Sequence, residues 1–256
     1  MISDLEPSLE IVRNVLSADF SCEEADLEGE GVFIRLARQS AGARRFPRPA
    51  KFLAVVTMGK GVVACCSANR LRWARANLAG LSRDDIFSAT TITRLERYVA
   101  HDRQSMAGPD LKYICTPASF RPYAANGKIE LVLTEGENIP VVYTSRQFPN
   151  ALGYTPNAQR PRVVTCKASY GGVVAGLAAA SADGDVMWQI GVDILPEYRE
   201  RGIGKTLVSA VTAAILNKGI LPYYSTVAPN IASRRTALSL GYFPAWVELY
   251  SRDIQT

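Results

Sequence analysis

Val192-Asp193-Ile194-Leu195-Pro196-Glu197-Tyr198-Arg199-Glu200-Arg201-Gly202-Ile203-Gly204-Lys205 is the stretch on which the fold turns. Before it, Val186 to Val192 is apolar and β-branched, the composition of a strand. After it, Ile203, Leu207, Val211 and Ile215 recur at four-residue steps, and Gly219 offers a stop, so the spacing predicts a helix from Gly202 to Lys218. Two glycines therefore stand where a helix opens after a strand. Backbone N–H groups are uncovered there, at the positive end of the helix dipole, and such a turn binds a phosphate or a diphosphate.

Three phosphate-binding patterns compete for this turn, and spacing separates them. A triphosphate loop requires G-x-x-x-x-G-K-[ST]; Gly204-Lys205-Thr206 supplies its end, but the first glycine falls on Arg199. A dinucleotide fingerprint G-x-G-x-x-G starts at Gly202 and Gly204, but its third glycine falls on Leu207. The third pattern, [RQ]-x-x-G-x-[GA], is met by Arg199, Gly202 and Gly204. Further on, Asn230-Ile231-Ala232-Ser233 opens a helix running to Leu240, and Gly241-Tyr242 closes it, matching N-x-x-[AS] and G-[FY] elements. On these residues the last hundred or so positions resemble the GNAT acetyltransferase superfamily.

The resemblance implies an α/β (α+β) fold: a mixed, mostly antiparallel central sheet flanked by helices, preceded by a smaller α/β N-terminal domain. The local patterns agree. Val163 to Ala168 and Gly172 to Ser181 read as strands, Asp183-Gly184-Asp185 as a hairpin turn, and Leu221 to Val227 and Phe243 to Tyr250 as later strands. The resemblance also implies acetyl-CoA as co-substrate. The loop residues Arg199, Glu200, Arg201, Gly202, Ile203, Gly204 and Lys205 would hold its diphosphate, with Asn230 and Ser233 beside the pantetheine or phosphate arm. The strand at Ile190 to Val192 would part from its neighbour at Tyr223 to Val227, so that the arm pairs with backbone of Gly191, Val192 and Ile194 like an added strand.

The implied chemistry is direct attack of a neutral amine on the thioester carbonyl, with backbone donors on the oxyanion. Two customary groups of the family are missing. Where a glutamate serves as base the chain reads Met187-Trp188-Gln189, and where a tyrosine serves as acid, seven residues after the asparagine, it has Ala237. The catalytic residues are accordingly unassigned, and orientation carries much of the expected rate. Tyr198, Tyr223, Tyr224, Glu197 and Asp193 lie near in sequence but read as structural or solvated, and Tyr242 reads as core.

Residues 1–150 form the expected N-terminal domain, with an accessory or acceptor-recognition role, and residues 160–256 the acetyltransferase-like domain. The boundary is placed in the stretch from Pro149 to Pro161, rich in proline and asparagine and without periodicity. Within the first part, Leu9 to Leu16 predicts a short amphipathic helix, Lys51 to Thr57 and Gly61 to Ser67 a hairpin across Met58-Gly59-Lys60, and Ala68 to Leu78 and Thr91 to Ala100 two more helices. Lys112 to Thr116, Ile129 to Thr134 and Ile139 to Thr144 predict strands.

Composition narrows the function classes. Five cysteines without a C-x-x-C spacing and a single histidine, His101, argue against a zinc site, a disulfide framework or a histidine-based triad; no metal is expected. The net charge of +5 arises from mixed acidic and basic stretches without a lysine-rich tail, which argues against nucleic-acid binding. The start Met1-Ile2-Ser3-Asp4 lacks a secretory pattern and no apolar run reaches a membrane span, so a cytoplasmic protein without membrane contact is expected. Two functions remain open. One is an acetyl-CoA-dependent N-acetyltransferase acting on a primary amine of a small molecule or peptide, with a homodimer as one possible assembly. The other is a non-catalytic acyl-CoA-binding or sensing protein, favoured by the missing glutamate and tyrosine.

Overall fold

The computed structural model describes residues 5–123, 127–136, 147–153 and 158–254. These residues fold as two compact units. One holds Met1–Ser8, Tyr113–Thr226 and Asn230–Pro244; the other holds Leu9–Lys112, Val227–Pro229 and Ala245–Thr256. The division at Lys112/Tyr113 lies well before the boundary expected between Pro149 and Pro161, and the end of the chain belongs with the earlier residues. Composition could not show this. Pro149–Leu152 is a helical turn with Ala151 and Leu152 buried, a packed segment rather than a solvated linker.

The unit formed largely by the N-terminal residues contains α1 (Glu6–Phe20, from Leu9 onward), α2 (Glu24–Glu28), β1 (Val32–Leu36), β2 (Leu53–Thr57), β3 (Val62–Cys66), α3 (Ala68–Leu78), α4 (Arg83–Ile86) and α5 (Ala89–Ala100). The hairpin reading holds, because β2 and β3 pair antiparallel from Leu53↔Cys66 to Thr57↔Val62. β1 pairs parallel with β3 and was not anticipated; its five residues are all half-buried, without the alternation that marks a strand. Both hairpin strands are buried throughout and pack Leu53, Val55, Val62 and Ala64 against Ala74 and Leu78 of α3 and Leu95 and Val99 of α5. Each of these Leu and Val side chains taken from water stabilises by about 1.5–3 kcal/mol. β4 (Gln104–Ile114) begins earlier than the apolar Lys112 to Thr116 reading suggested, because Gln-Ser-Met-Ala-Gly-Pro-Asp carries no strand period.

The other unit contains β5 (Ile129–Glu135), α6 (Pro149–Leu152), β6 (Arg162–Tyr170), β7 (Val173–Ser181), β8 (Met187–Ile194), α7 (Ile203–Leu216), β9 (Leu221–Val227, up to Thr226), α8 (Ile231–Ser239) and the start of β10 (Phe243–Asp253), whose remainder belongs with Leu9–Lys112 and pairs antiparallel with β2. Strands β5, β6, β7 and β8 form an antiparallel meander, and β9 joins β8 in parallel. A mixed, mostly antiparallel sheet flanked by helices is thus observed. The expected strand at Ile139 to Thr144 lies outside the described residues. α7 packs across β6, β7 and β8, burying the Ile203, Leu207, Val211 and Ile215 stripe seen in the sequence together with Val208.

Candidate active site

Four residue pairs join β8 to β9, from Met187↔Leu221 to Ile190↔Tyr224. Beyond that point β8 runs on to Ile194 and β9 to Val227, with no further pairing between them. Gly191, Val192, Asp193 and Ile194 stay bonded to β7 on one side only, opposite Ala179, Ala178, Leu177 and Gly176. The splay expected at Ile190 to Val192 is therefore present, and the freed edge of β8 offers backbone groups to an extended ligand.

The freed edge leads into the glycine-opened turn. A 3-10 turn at Pro196–Tyr198 follows β8, Glu200 takes φ 62°, and Gly202 takes φ 77° as the N-cap of α7. A left-handed φ at Gly202 is needed to swing the chain into the helix, and only glycine adopts it without a Cβ penalty. No side chain caps α7, and its first turn holds no acidic residue. The amides of Ile203, Gly204 and Lys205 are thereby left to an outside acceptor. A Cβ on Gly204 would make only ordinary contact with Ile194, 3.5 Å from its Cγ1, so this position is open rather than filled by the protein. An uncapped helix mouth without acidic residues in its first turn, at the foot of a freed strand edge, suits an anionic group.

The remaining sequence-assigned residues fall into several roles. Arg199 Nε donates to the Ile194 carbonyl at 3.4 Å. Arg201 Nη2 donates to the Glu197 carbonyl at 3.3 Å, and its guanidinium lies 5.1 Å from the Tyr170 ring centre and 5.8 Å from that of Tyr198. Lys205 Nζ sits 4.4 Å over the ring of Tyr123, whose backbone N–H donates to Ser209 Oγ at 2.9 Å. Asn230 is the N-cap of α8, its side-chain oxygen accepting from the Ser233 N–H at 3.1 Å. Ser233 Oγ meets the Tyr224 hydroxyl at 2.7 Å. Tyr242 is a core residue, its hydroxyl 2.6 Å from Thr212 Oγ1.

On the other face of β8, α6 lies against Gly191: a Cβ there would come 2.0 Å from the Asn150 carbonyl oxygen. Asp193, in the segment paired with β7 alone, accepts from Asn150 Nδ2 at 2.5 Å and from the Ala151 N–H at 2.9 Å. Gln189 stands close to Tyr223, whose hydroxyl donates to the fully buried Asp183; Arg160 Nε and Ser181 Oγ also donate to that carboxylate, at 2.8 and 2.7 Å. Neither this cluster nor the Tyr224–Ser233 pair was visible in the sequence. Each joins residues whose proximity depends on the strand register and on where α8 docks.

The thiols are withdrawn from chemistry. Burial pushes Cys65 up to about 12 and Cys22, Cys66, Cys115 and Cys166 up to about 11. Among the described residues no group of three or more His, Cys, Asp or Glu side chains is placed to hold a metal ion, and no helix is long and apolar enough to cross a membrane.

Parallel strands that part after Ile190 thus run into a helix mouth with no side-chain cap. Residues 134–242 match the acetyltransferase (GNAT) family model. No curated protein matches the chain in sequence. Among solved structures it is similar to a GCN5-related N-acetyltransferase from Kribbella flavida, at 17% identity and TM-score 0.46, covering 62% of this chain and 64% of that one. It is also similar to a GCN5-related N-acetyltransferase-like protein from Streptococcus suis, at 16% identity and TM-score 0.46, covering 68% and 77%. A third, AAC(6')-Iy in complex with the bisubstrate analogue CoA-S-monomethyl-acetylneamine, is 21% identical with TM-score 0.36, covering 46% and 92%.

Proposed function

We propose that this chain is an acetyl-CoA-dependent N-acetyltransferase that acts on a primary amine of a small molecule or peptide by direct transfer. The observation that carries the reading is the continuity of two features: β8 loses its partner after Ile190, and its freed edge ends at an α7 mouth without a side-chain cap. The diphosphate takes the amides of Ile203, Gly204 and Lys205, and the pantetheine arm lies along Gly191 to Ile194. A thioester so placed lies near Ile190 and Tyr224, where an amine needs only to be oriented for attack, and orientation alone is worth up to about 7–11 kcal/mol.

The test is calorimetric titration with coenzyme A of the wild type and of Gly204→Glu. A carboxylate at the helix mouth repels the diphosphate, so binding should fall at least a hundredfold while the thermal transition stays within a few degrees. Unchanged affinity in a folded variant removes the assignment.

One observation favours a second reading, a non-catalytic acyl-CoA-binding protein: Gln189 and the buried Ala237 stand where the resemblance implies a base and an acid. Release of free thiol from acetyl-CoA over a panel of amines separates the two. Turnover on any amine supports transfer, and tight binding without turnover supports the sensor.

A further inference from the structure

We propose that the Tyr224 hydroxyl, relayed by Ser233, donates the proton that the departing thiolate of coenzyme A takes up. This rests on the acetyl-transfer reading and supplies the acid that the motif position, Ala237, lacks.

Placement is the first argument. Tyr224 is opposite Ile190, the last residue pair before β8 and β9 separate. From Ile194, beside the helix mouth, back to Ile190 is four strand residues, or about 13 Å at ~3.3 Å per residue. That span is comparable to the two-amide arm between diphosphate and sulfur, so a coenzyme laid on the freed edge brings its sulfur to the vertex where Tyr224 stands.

Hydrogen-bond arithmetic is the second. Each hydroxyl carries one O–H and two lone pairs. Tyr224 Oη and Ser233 Oγ are 2.7 Å apart and share one hydrogen, and neither oxygen has another partner among the described residues. When Ser233 donates to Tyr224, the phenol proton is left to point elsewhere. The neighbouring Tyr223 has no such freedom, since its proton is committed to the buried Asp183. Tyr224 is 3% exposed whereas Ser233 is half-buried on the first turn of α8, so the pair leads from the interior toward solvent. Burial raises the Tyr224 pKa, with the Ser233 hydrogen bond opposing in part, so the phenol stays protonated well into the alkaline range.

The step balances. The amine nitrogen forms the C–N bond with the carbonyl carbon, the C–S bond breaks, and its electron pair stays on sulfur. Sulfur takes the phenol proton, the phenolate takes the Ser233 proton, and Ser233 is reprotonated from water, while the new amide sheds the proton of the attacking amine to solvent.

The test is a titration of enzyme-bound coenzyme A, carrying carbon-13 at the carbon that bears the thiol and followed by NMR against pH, in the full-length wild type, Tyr224→Phe, Ser233→Ala and Ser233→Thr. A hydroxyl that donates to sulfur stabilises the thiolate, so the bound thiol should titrate about one pH unit higher in Tyr224→Phe than in the wild type. Ser233→Ala should fall between them and Ser233→Thr should restore the wild-type curve. In Tyr224→Phe, coenzyme A affinity at pH 6 should change less than threefold, while kcat on any accepted amine should drop at least tenfold with KM for acetyl-CoA held. Superimposable titrations of wild type and Tyr224→Phe, with coenzyme bound to both, overturn the proposal while leaving the acetyl-CoA reading intact. If Tyr224→Phe does not fold, coincidence of Ser233→Ala with the wild type has the same force. Failure of the wild type to bind coenzyme A overturns both.

Discussion

Gly191 and Gly204 stand on the same strand-to-helix path, yet the physics at each is opposite. At Gly191 the space beside the Cα is taken by the chain itself, since a Cβ would meet the Asn150 carbonyl oxygen at 2.0 Å and the Ala151 Cα at 3.3 Å. Backbone cannot step aside as a flexible side chain can. Gly191→Ala should therefore cost about 1–3 kcal/mol in urea denaturation, in line with overpacking elsewhere. At Gly204 the space is open and the residue lies in the first turn of α7. Gly204→Ala should leave stability unchanged or raise it by up to about 1 kcal/mol through helix propensity, and should keep coenzyme A binding, because the last position of the motif admits alanine. Equal loss of stability at both positions would contradict the packing of α6 on β8 described above. The Arg199-x-x-Gly202-x-Gly204 spacing located the helix mouth but could not distinguish these cases, because the obstacle at Gly191 comes from a segment some forty residues away in sequence.

Helices α7 and α8 begin in contrasting ways. α8 is closed by its own asparagine, whose side-chain oxygen takes the Ser233 N–H, whereas α7 has glycine at its N-cap and no side-chain acceptor. A helix that satisfies its first amides internally gains stability, and one that leaves them open gains a ligand. Asn230→Ala should destabilise the protein by about 1 kcal/mol and Asn230→Asp by much less, as measured by thermal unfolding without ligand. Both helices were legible because their apolar residues recur with a helical period and glycine follows each. The strands of the meander were legible from composition and turns. β1 and the first half of β4 were not, since a half-buried parallel strand and a Gly-Pro-containing strand lack alternation. The hydroxyl pair at the vertex was hidden for a related reason: periodicity assigns Tyr224 to a strand, but only the docking of α8 brings Ser233 to it.

Over the whole molecule, the unit built from Leu9–Lys112 and Ala245–Thr256 draws separate parts of the chain together through one buried cluster of charges. Arg44, on the segment between β1 and β2, donates through its backbone N–H and Nε to Asp19 of α1, at 2.6 and 2.5 Å, and through Nη2 to Glu248 of β10. Glu248 also accepts from Trp246 Nε1 at 2.6 Å and lies 3.6 Å from Lys112 Nζ of β4, which in turn is 3.3 Å from Asp110. Burial alone would raise both acids. At Glu248 two cations and the indole N–H overcome it and bring the pKa down to about 2, whereas at Asp19 burial, with repulsion from Glu248, outweighs Arg44 and the pKa is raised. The signs in acid follow. Glu248 is depressed below its ordinary 4.5, so its contribution is complete above that pH and is lost as pH falls through about 2. Asp19 acts the other way: its contribution is present below its ordinary 3.8 and is lost as pH rises through the folded value. Removing the Glu248 charge leaves Lys112 and one arm of Arg44 without their shared acceptor, so Glu248→Gln should cost about 3–5 kcal/mol at pH 7. Urea denaturation of both proteins between pH 6 and pH 2.5 checks the origin of that cost. The gap between wild type and Glu248→Gln should stay wide above pH 5 and close progressively below it, because the unfolded chain's Glu248 then takes up a proton that the folded state resists. A gap that stays constant across the series would mean that the loss comes from packing, and the charge cluster would no longer account for how these four segments are held together.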